Sequence, residues 1–220
     1  MKLPELFEAK VVKRERRFRL YVDLGGRVEI AYLANPGRLQ EIIYPDARVF
    51  LSNKGINSHR KTQFEAVLGF ADGITPVSLN ASLANYLFLE NIYKIFPQVK
   101  EIRREYTFRD SRFDFLLDGE ILVEVKSCTL VKDGIGLFPD APTMRGTKHL
   151  KTLLGWPGKK ALVFVVQRED AVKVMPNYEM DKEFGTTMEK IFGELDYKVA
   201  FTVKISRNSI DFKEFVPISL

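Results

Sequence analysis

The chain of 220 residues contains one cysteine, Cys128, so no internal disulfide can form. Its two histidines, His59 and His149, are too few to build a closed zinc cage with that cysteine. The longest unbroken apolar run, Ala161 to Val166, is far short of a membrane-spanning helix. The first residues, Met1-Lys2-Leu3-Pro4-Glu5, lack the apolar stretch of a secretory signal. No repeat of roughly 20–50 residues occurs, which argues against solenoids and propellers. No Ser-His-Asp set, P-loop or Gly-x-Gly-x-x-Gly turn stands out, so a hydrolase triad or nucleotide cofactor has little support. These absences lead us to expect a thiol-reduced, cytoplasmic protein.

What is present is an ordinary globular composition, 45% apolar and 29% charged. The 34 Lys and Arg outnumber the 29 Asp and Glu, a net charge of +5 that favours a polyanionic partner. The length allows one large domain or two small ones.

From Ala9 to about Leu79 the texture is β. Phe18, Leu20, Val22 and Leu24 alternate with Arg17, Arg19, Tyr21 and Asp23, predicting a strand with the first set buried. Gly25-Gly26 turns the chain into a second strand, Val28 to Leu33. Short strands at 49–51 and 64–70 complete a small closed barrel of the OB type over residues 1–79. At Asn80, a good N-cap, a helix is expected over Ala81 to Ile95, ended by Pro97. Residues 80–220 then mix strands and helices: a hairpin over 105–129, a polar loop to Thr143, a helix over 143–154, and a doubly buried strand over 161–167. A helix capped by Asp181 should run to about Leu195, and strands over 198–206 and 210–215 should follow. The expectation is an α+β or α/β two-domain chain with its seam near residue 80.

The chemistry-bearing segment runs from Arg112 to Lys126. Glu124 and Lys126 are two apart on a strand and leave the same face. A three-residue loop over 118–120 sets Asp114 opposite Glu124 and gathers Phe113, Phe115, Val123 and Val125 on one apolar face, whereas a one-residue slip scrambles both faces. Two facing carboxylates repel each other unless a cation sits between them. Carboxylate oxygens suit Mg²⁺ or Mn²⁺, which could lower the pKa of a water while Lys126 orients it. The plainer alternative is a solvated, salt-bridged strand edge. Glu90, on the helix face of Leu83, Tyr86 and Leu87, is either a further metal-side acid or a rim glutamate.

Asp114…Glu124-Val125-Lys126 resembles the PD-(D/E)XK nuclease core. The strings Val123-Glu124-Val125-Lys126-Ser127-Cys128-Thr129-Leu130-Val131, Leu137-Phe138-Pro139-Asp140-Ala141-Pro142-Thr143, Arg145-Gly146…Lys148-His149-Leu150, Phe164-Val165-Val166-Gln167-Arg168 and Asn35-Pro36-Gly37-Arg38 resemble the sugar fermentation stimulation protein family, over essentially the whole chain. The resemblance implies an N-terminal OB-fold domain, a C-terminal restriction-endonuclease-like domain and DNA binding. It also implies Asp114, Glu124 and Lys126 as the nuclease-type residues. The sequence departs from the expected pattern at Phe113, Pro36 and Met144, and between Leu154 and Leu162.

Candidate nucleic-acid contacts fall in three groups, together with Arg38 in the family-like string. Lys10, Lys13, Arg14, Arg16, Arg17 and Arg19 crowd one stretch against Glu15 alone, with Arg17, Arg19 and Tyr21 on a strand face suited to phosphate contact and stacking. Such a strand is equally a charged edge guarded against aggregation. Lys54, His59, Arg60 and Lys61 form a basic loop. Arg145, Lys148, His149 and Thr152 share one helix face, either a cationic stripe for phosphates or the wet side of an amphipathic helix. Two functions remain open: a DNA-binding, Mg²⁺- or Mn²⁺-dependent nuclease, and a DNA-binding regulator of sugar-utilisation genes that uses the fold as a scaffold.

Overall fold

The computed structural model describes residues 1–55 and 62–220. His59, Arg60 and Lys61 of the expected basic loop lie outside the described residues.

The first six strands are β1 (Phe7–Glu15), β2 (Arg19–Asp23), β3 (Val28–Tyr32), β4 (Arg48–Asn53), β5 (Phe64–Ala71) and β6 (Thr75–Ser78). They run in the order β3-β2-β1-β4-β5-β6. Parallel pairing of β3 with β5, Ala31 to Phe64 and Tyr32 to Glu65, closes the first five into a barrel. Leu20, Val22, Ala31, Leu33, Val49 and Leu51 fill it, as period-two patterning requires. Gly25 and Gly26, with φ of 68° and 87°, make the β2–β3 turn that a β-branched residue would resist.

The alternation fails at its first member. Phe18 is 44% exposed, because residues 16–18 form a turn before β2 and Arg16 takes a φ of 57°. The turn breaks the pleat that would have carried Phe18 inward.

The expected helix over 81–95 is two. α1 (Leu83–Glu90) stops at Asn91, and α2 (Ile92–Ile95) follows. The Asn91 side chain donates to the Leu87 carbonyl at 2.9 Å, competing with helix continuation. Next come β7 (Ile102–Phe108), β8 (Ser111–Leu117), β9 (Ile121–Cys128), β10 (Leu130–Lys132) and β11 (Ile135–Phe138). The remainder is α3 (Met144–Leu154), β12 (Lys159–Val166), β13 (Lys173–Pro176), α4 (Lys182–Phe192), β14 (Tyr197–Ile205) and β15 (Ile210–Phe215). Thr143 and Asp181 cap α3 and α4, accepting from the Gly146 and Phe184 amides. α4 ends three residues before Leu195. The stretch to Thr143 is not all loop, since β10, β11 and β13 form a small sheet. Its strands are short, and β13, the parallel partner of β11, lies far along the chain, so no local period marks it.

The main sheet has the order β15-β14-β12-β9-β8-β7. β12 lies between β9 and β14, parallel to both, and its run Ala161–Val166 is fully buried. One core joins Phe115, Leu117, Val123 and Val125 to Leu87 and Phe88 of α1 and to Val67 and Leu68 of β5. The other joins Leu116, Leu122 and Phe164 to Leu150 of α3 and to Phe184 and Met188 of α4. Each fully buried side chain of this size contributes about 1.5–3 kcal/mol, so sharing Val67 and Leu68 ties the barrel to the sheet domain.

Hydrogen bonds reinforce the seam. Ser78 N–H donates to Gln167 O at 3.0 Å, and the Gln167 side-chain Nε2 donates to Asn80 O at 3.0 Å. The loop after β3 also presses on the loop after β11, where a Cβ at Gly37 would overlap the Asp140 carboxylate. Gly37→Ala is expected to destabilise by about 1–3 kcal/mol through overpacking, read as a lower denaturant midpoint at unchanged m. An unchanged midpoint would mean that Asp140 swings aside freely.

Candidate metal and nucleic-acid site

The loop over 118–120 forms as its spacing predicts. Phe115, Leu116 and Leu117 pair with Val123, Leu122 and Ile121, while Asp118 and Gly119 adopt φ of 48° and 68°. The pairing stops one residue short of Asp114 and Glu124. There an Asp114 carboxylate oxygen accepts from the Val125 N–H at 2.8 Å, replacing the ladder bond. Phe113, released from the pleat, turns to the opposite core from Phe115 and meets the His149 ring at 5.4 Å. The expected face of Phe113 with Val123 and Val125 is therefore corrected.

Asp114 accepts with its other oxygen from Asn85 of α1 at 2.7 Å. Burial pushes its carboxyl up from the ordinary range, the nearby Glu124 charge pushes it further, and the two donors pull part of the way back. Glu124 is 3% exposed. One of its oxygens, Oε1, accepts from Lys126 Nζ at 2.6 Å and meets His149 Nδ1 at 2.7 Å. Burial pushes Glu124 up, but the Lys126 ammonium and His149 outweigh it and hold the group below the usual range. Its other oxygen, Oε2, is buried with no hydrogen-bond partner, a costly state in a low-dielectric interior.

Asp114 and Lys126 line a cleft of about 930 Å³. Its walls come from both halves of the chain: Arg17, Phe18 and residues 35–37 of the barrel face Asn85 and residues 138–145. Arg145 and Met144 are exposed there. Asp140, also on the wall, is pushed up by burial and held back by the Leu39 and Arg38 amides and by Arg14.

Several expected site residues sit elsewhere. Glu90 is exposed at the end of α1, its carboxylate 2.9 Å from the Met1 amino group, away from Asp114. The residue of α1 that reaches the site is Asn85. The stripe on α3 is divided: His149 and Thr152 are buried, so His149 holds Glu124 and is not exposed to a phosphate backbone. Lys148 is exposed and pairs with Asp110 at 2.8 Å. The Arg145 Nε lies 3.4 Å from His149 Nε2, so the ring is held between Arg145 on one side and Glu124 on the other. Arg14 is a strut: its guanidinium donates to the carbonyls of Arg17, Arg38 and Asn35. Arg19 and Tyr21 converge on Glu15, at 3.5 and 3.0 Å, so that patch is partly neutralised. Arg17, Arg38 and Lys54 are exposed. His149 and Arg14 depart from expectation because basic residue type marks a surface only when the buried side of the element is known. Asn85 carries no signal in the sequence beyond helical spacing from Asn80.

Among the described residues no three His, Cys, Asp or Glu side chains form a ready metal cage. The available donors are two carboxylates, one with an orphaned oxygen, beside an ammonium. That set fits a hard divalent cation, which takes one or two protein carboxylates and completes its shell with water and phosphate oxygens.

The fold and the site thus define a class: an OB barrel joined to a mixed-sheet domain, with Asp114 and Lys126 on the wall of the cleft between them and Glu124 buried behind Lys126. The model for the SfsA N-terminal OB domain matches residues 12–77, and that for the sugar fermentation stimulation protein RE domain matches residues 78–208. The sugar fermentation stimulation protein homolog of Aquifex aeolicus is 44% identical over 186 residues, covering 84% of each chain. That of Desulforamulus reducens is 35% identical over 228 residues, covering 99% of this chain and 94% of its own. The solved structure of Pyrococcus furiosus SfsA in complex with Ca²⁺ superposes with a TM-score of 0.89 at 23% identity, covering 100% of this chain and 98% of that one. The chain belongs to the sugar fermentation stimulation protein family. No described helix is long and apolar enough to cross a membrane.

Proposed function

We propose that this protein binds nucleic acid, DNA in the first instance, and hydrolyses its phosphodiesters with a divalent cation, Mg²⁺ or Mn²⁺, held by Asp114 and Glu124. The carrying observation is the orphaned, buried Glu124 Oε2 beside Lys126. The complex of Pyrococcus furiosus SfsA with Ca²⁺ supports a divalent ion of this kind. When bound, such an ion supplies positive charge to phosphate oxygens and acidifies an attacking water. The protein's own residues prepare the place for it. Asn85 and the Val125 amide fix the Asp114 carboxylate, and His149 with Lys126 occupies Glu124 Oε1 so that Oε2 is left for the ion. Lys126 then supplies a cation beside the scissile phosphate and a donor to orient the water. Exposed Arg17, Arg38 and Arg145 would engage the phosphate backbone around the cleft.

A second reading, a DNA-binding regulator without chemistry, is favoured by one observation: Glu124, Lys126 and His149 already satisfy one another in an ion-free arrangement. The experiment that decides incubates the protein with labelled single- and double-stranded DNA and RNA, in Mg²⁺, Mn²⁺ or chelator. Cleavage that requires metal and vanishes in Asp114→Asn and Lys126→Ala, with binding retained, is the expected result. Binding with no cleavage under either metal would leave the regulator.

A further inference from the structure

We infer that the barrel side of the cleft carries a base-stacking subsite, Phe18 backed by Tyr32 and flanked by Arg17, that selects single-stranded nucleic acid; this rests on the reading of the cleft as a nucleic-acid site. Phe18 and Tyr32 are 44% and 40% exposed. They are also in contact, with ring centroids 6.1 Å apart and planes tilted by 38°. Isolated exposed apolar residues are ordinary on a soluble protein. Here two rings sit together, and Phe18 lines the same cleft as Asp114 and Lys126.

The platform is held rigidly. Arg14 donates twice to the Arg17 carbonyl, at 3.3 and 2.7 Å, and also to the Arg38 and Asn35 carbonyls. One side chain thereby fixes the two barrel loops that face the cleft. The Leu33 N–H donates to the Phe18 carbonyl at 3.0 Å, fastening Phe18 to the strand that bears Tyr32. The rings occupy the β1–β2 loop and β3, the part of an OB barrel suited to oligonucleotides. Across the cleft, exposed Arg145 and the 88% exposed Met144 offer a second charge and a second apolar surface.

The chemistry of this rim is charge for a backbone and an open aromatic face for a base. Only an unpaired base can present its face to Phe18, since a duplex keeps its bases stacked on one another. Stacking on an aromatic side chain is worth about 5- to 150-fold in affinity per base.

The test measures anisotropy of a labelled single strand and of the matching duplex, in chelator so that nothing is cut. The protein is compared with Phe18→Ala, Phe18→Leu, Phe18→Tyr and Tyr32→Ala, each checked for an unchanged thermal midpoint, as exposed positions should give. The expected result is tighter binding of the single strand than of the duplex. Phe18→Ala and Phe18→Leu should weaken the single strand by at least about fivefold and leave the duplex unchanged, while Phe18→Tyr keeps wild-type affinity. Quenching of a 2-aminopurine base in the strand should be lost with Phe18→Ala. Duplex preferred by the wild type, or single-strand affinity unchanged in Phe18→Ala, would overturn the subsite. If metal-dependent cleavage persists in those variants, the nuclease reading survives that failure. Phe18-dependent strand binding without cleavage under any metal would instead keep the subsite and remove the nuclease.

Discussion

Asp114→Asn is expected to reduce metal-dependent cleavage by about 10²–10³-fold, the usual cost of removing one preorganised electrostatic element, while making the ion-free protein more heat-stable. The two effects have one cause. Asp114 is partly buried close to Glu124, and its carboxyl is raised by burial and by that charge. An asparagine can keep both bonds, accepting from the Val125 amide and, after Asn85 turns its side-chain amide, donating to Asn85. It removes the charge that the ion-free protein must otherwise accommodate. In a chain of this size each 1 kcal/mol moves the midpoint by about 2–4 °C, so a gain of a few degrees is expected near neutral pH. The pH dependence has a definite sign. A raised pKa means that Asp114 contributes stability when protonated and loses it as pH rises through the folded value. The advantage of Asp114→Asn should therefore fade as the solution is acidified and the wild-type group takes up its proton. An advantage that grew in acid, or cleavage at wild-type rates, would contradict this role for Asp114.

Glu124→Gln should move stability the other way, and further. Lys126 and Glu124 form a buried pair at 2.6 Å, with side chains 10% and 4% exposed. Neutralising Glu124 leaves the Lys126 ammonium buried without its counter-charge, which costs about 3–5 kcal/mol, or roughly 6–20 °C in midpoint. Here the folded pKa is lowered, so the contribution is present above the unfolded value and is lost as pH falls through the folded one. The gap between wild type and Glu124→Gln should close in acid. Thermal scans across pH check both variants at once: the Asn variant lies above wild type at neutral pH and the Gln variant below. A Glu124→Gln midpoint equal to wild type would show that Lys126 finds another partner.

Much of this site is legible in the sequence because it depends on local geometry. Glu124 and Lys126 share a face at any register, and Phe115, Val123 and Val125 share one buried face as the loop over 118–120 requires, although Phe113 leaves it for the opposite core. The closed barrel follows from alternation in β2 and β3, and Asp181 caps the helix its residue type announces. What escapes depends on partners distant in sequence. Helical spacing alone draws the α1 face through Tyr86, which is 48% exposed, whereas Ala84, Leu87 and Phe88 are buried. That rotation exchanges Glu90 for Asn85 at the site. For His149, spacing gives the stripe but does not say which side meets the sheet. Phe18 breaks the expected pattern because a turn set by Arg16 interrupts an alternation that holds from Leu20 onward.

The central claim is that Asp114 and Glu124 jointly hold a divalent ion, and calorimetric titration of Mn²⁺ into the purified protein addresses it without reference to cleavage. One site per chain is expected in the wild type, with affinity lost in Asp114→Asn even though that variant is folded and more heat-stable. Saturation at about 100 times Kd should stabilise the wild type alone by about 2.7 kcal/mol. No binding by the wild type, or undiminished binding by Asp114→Asn, would contradict it.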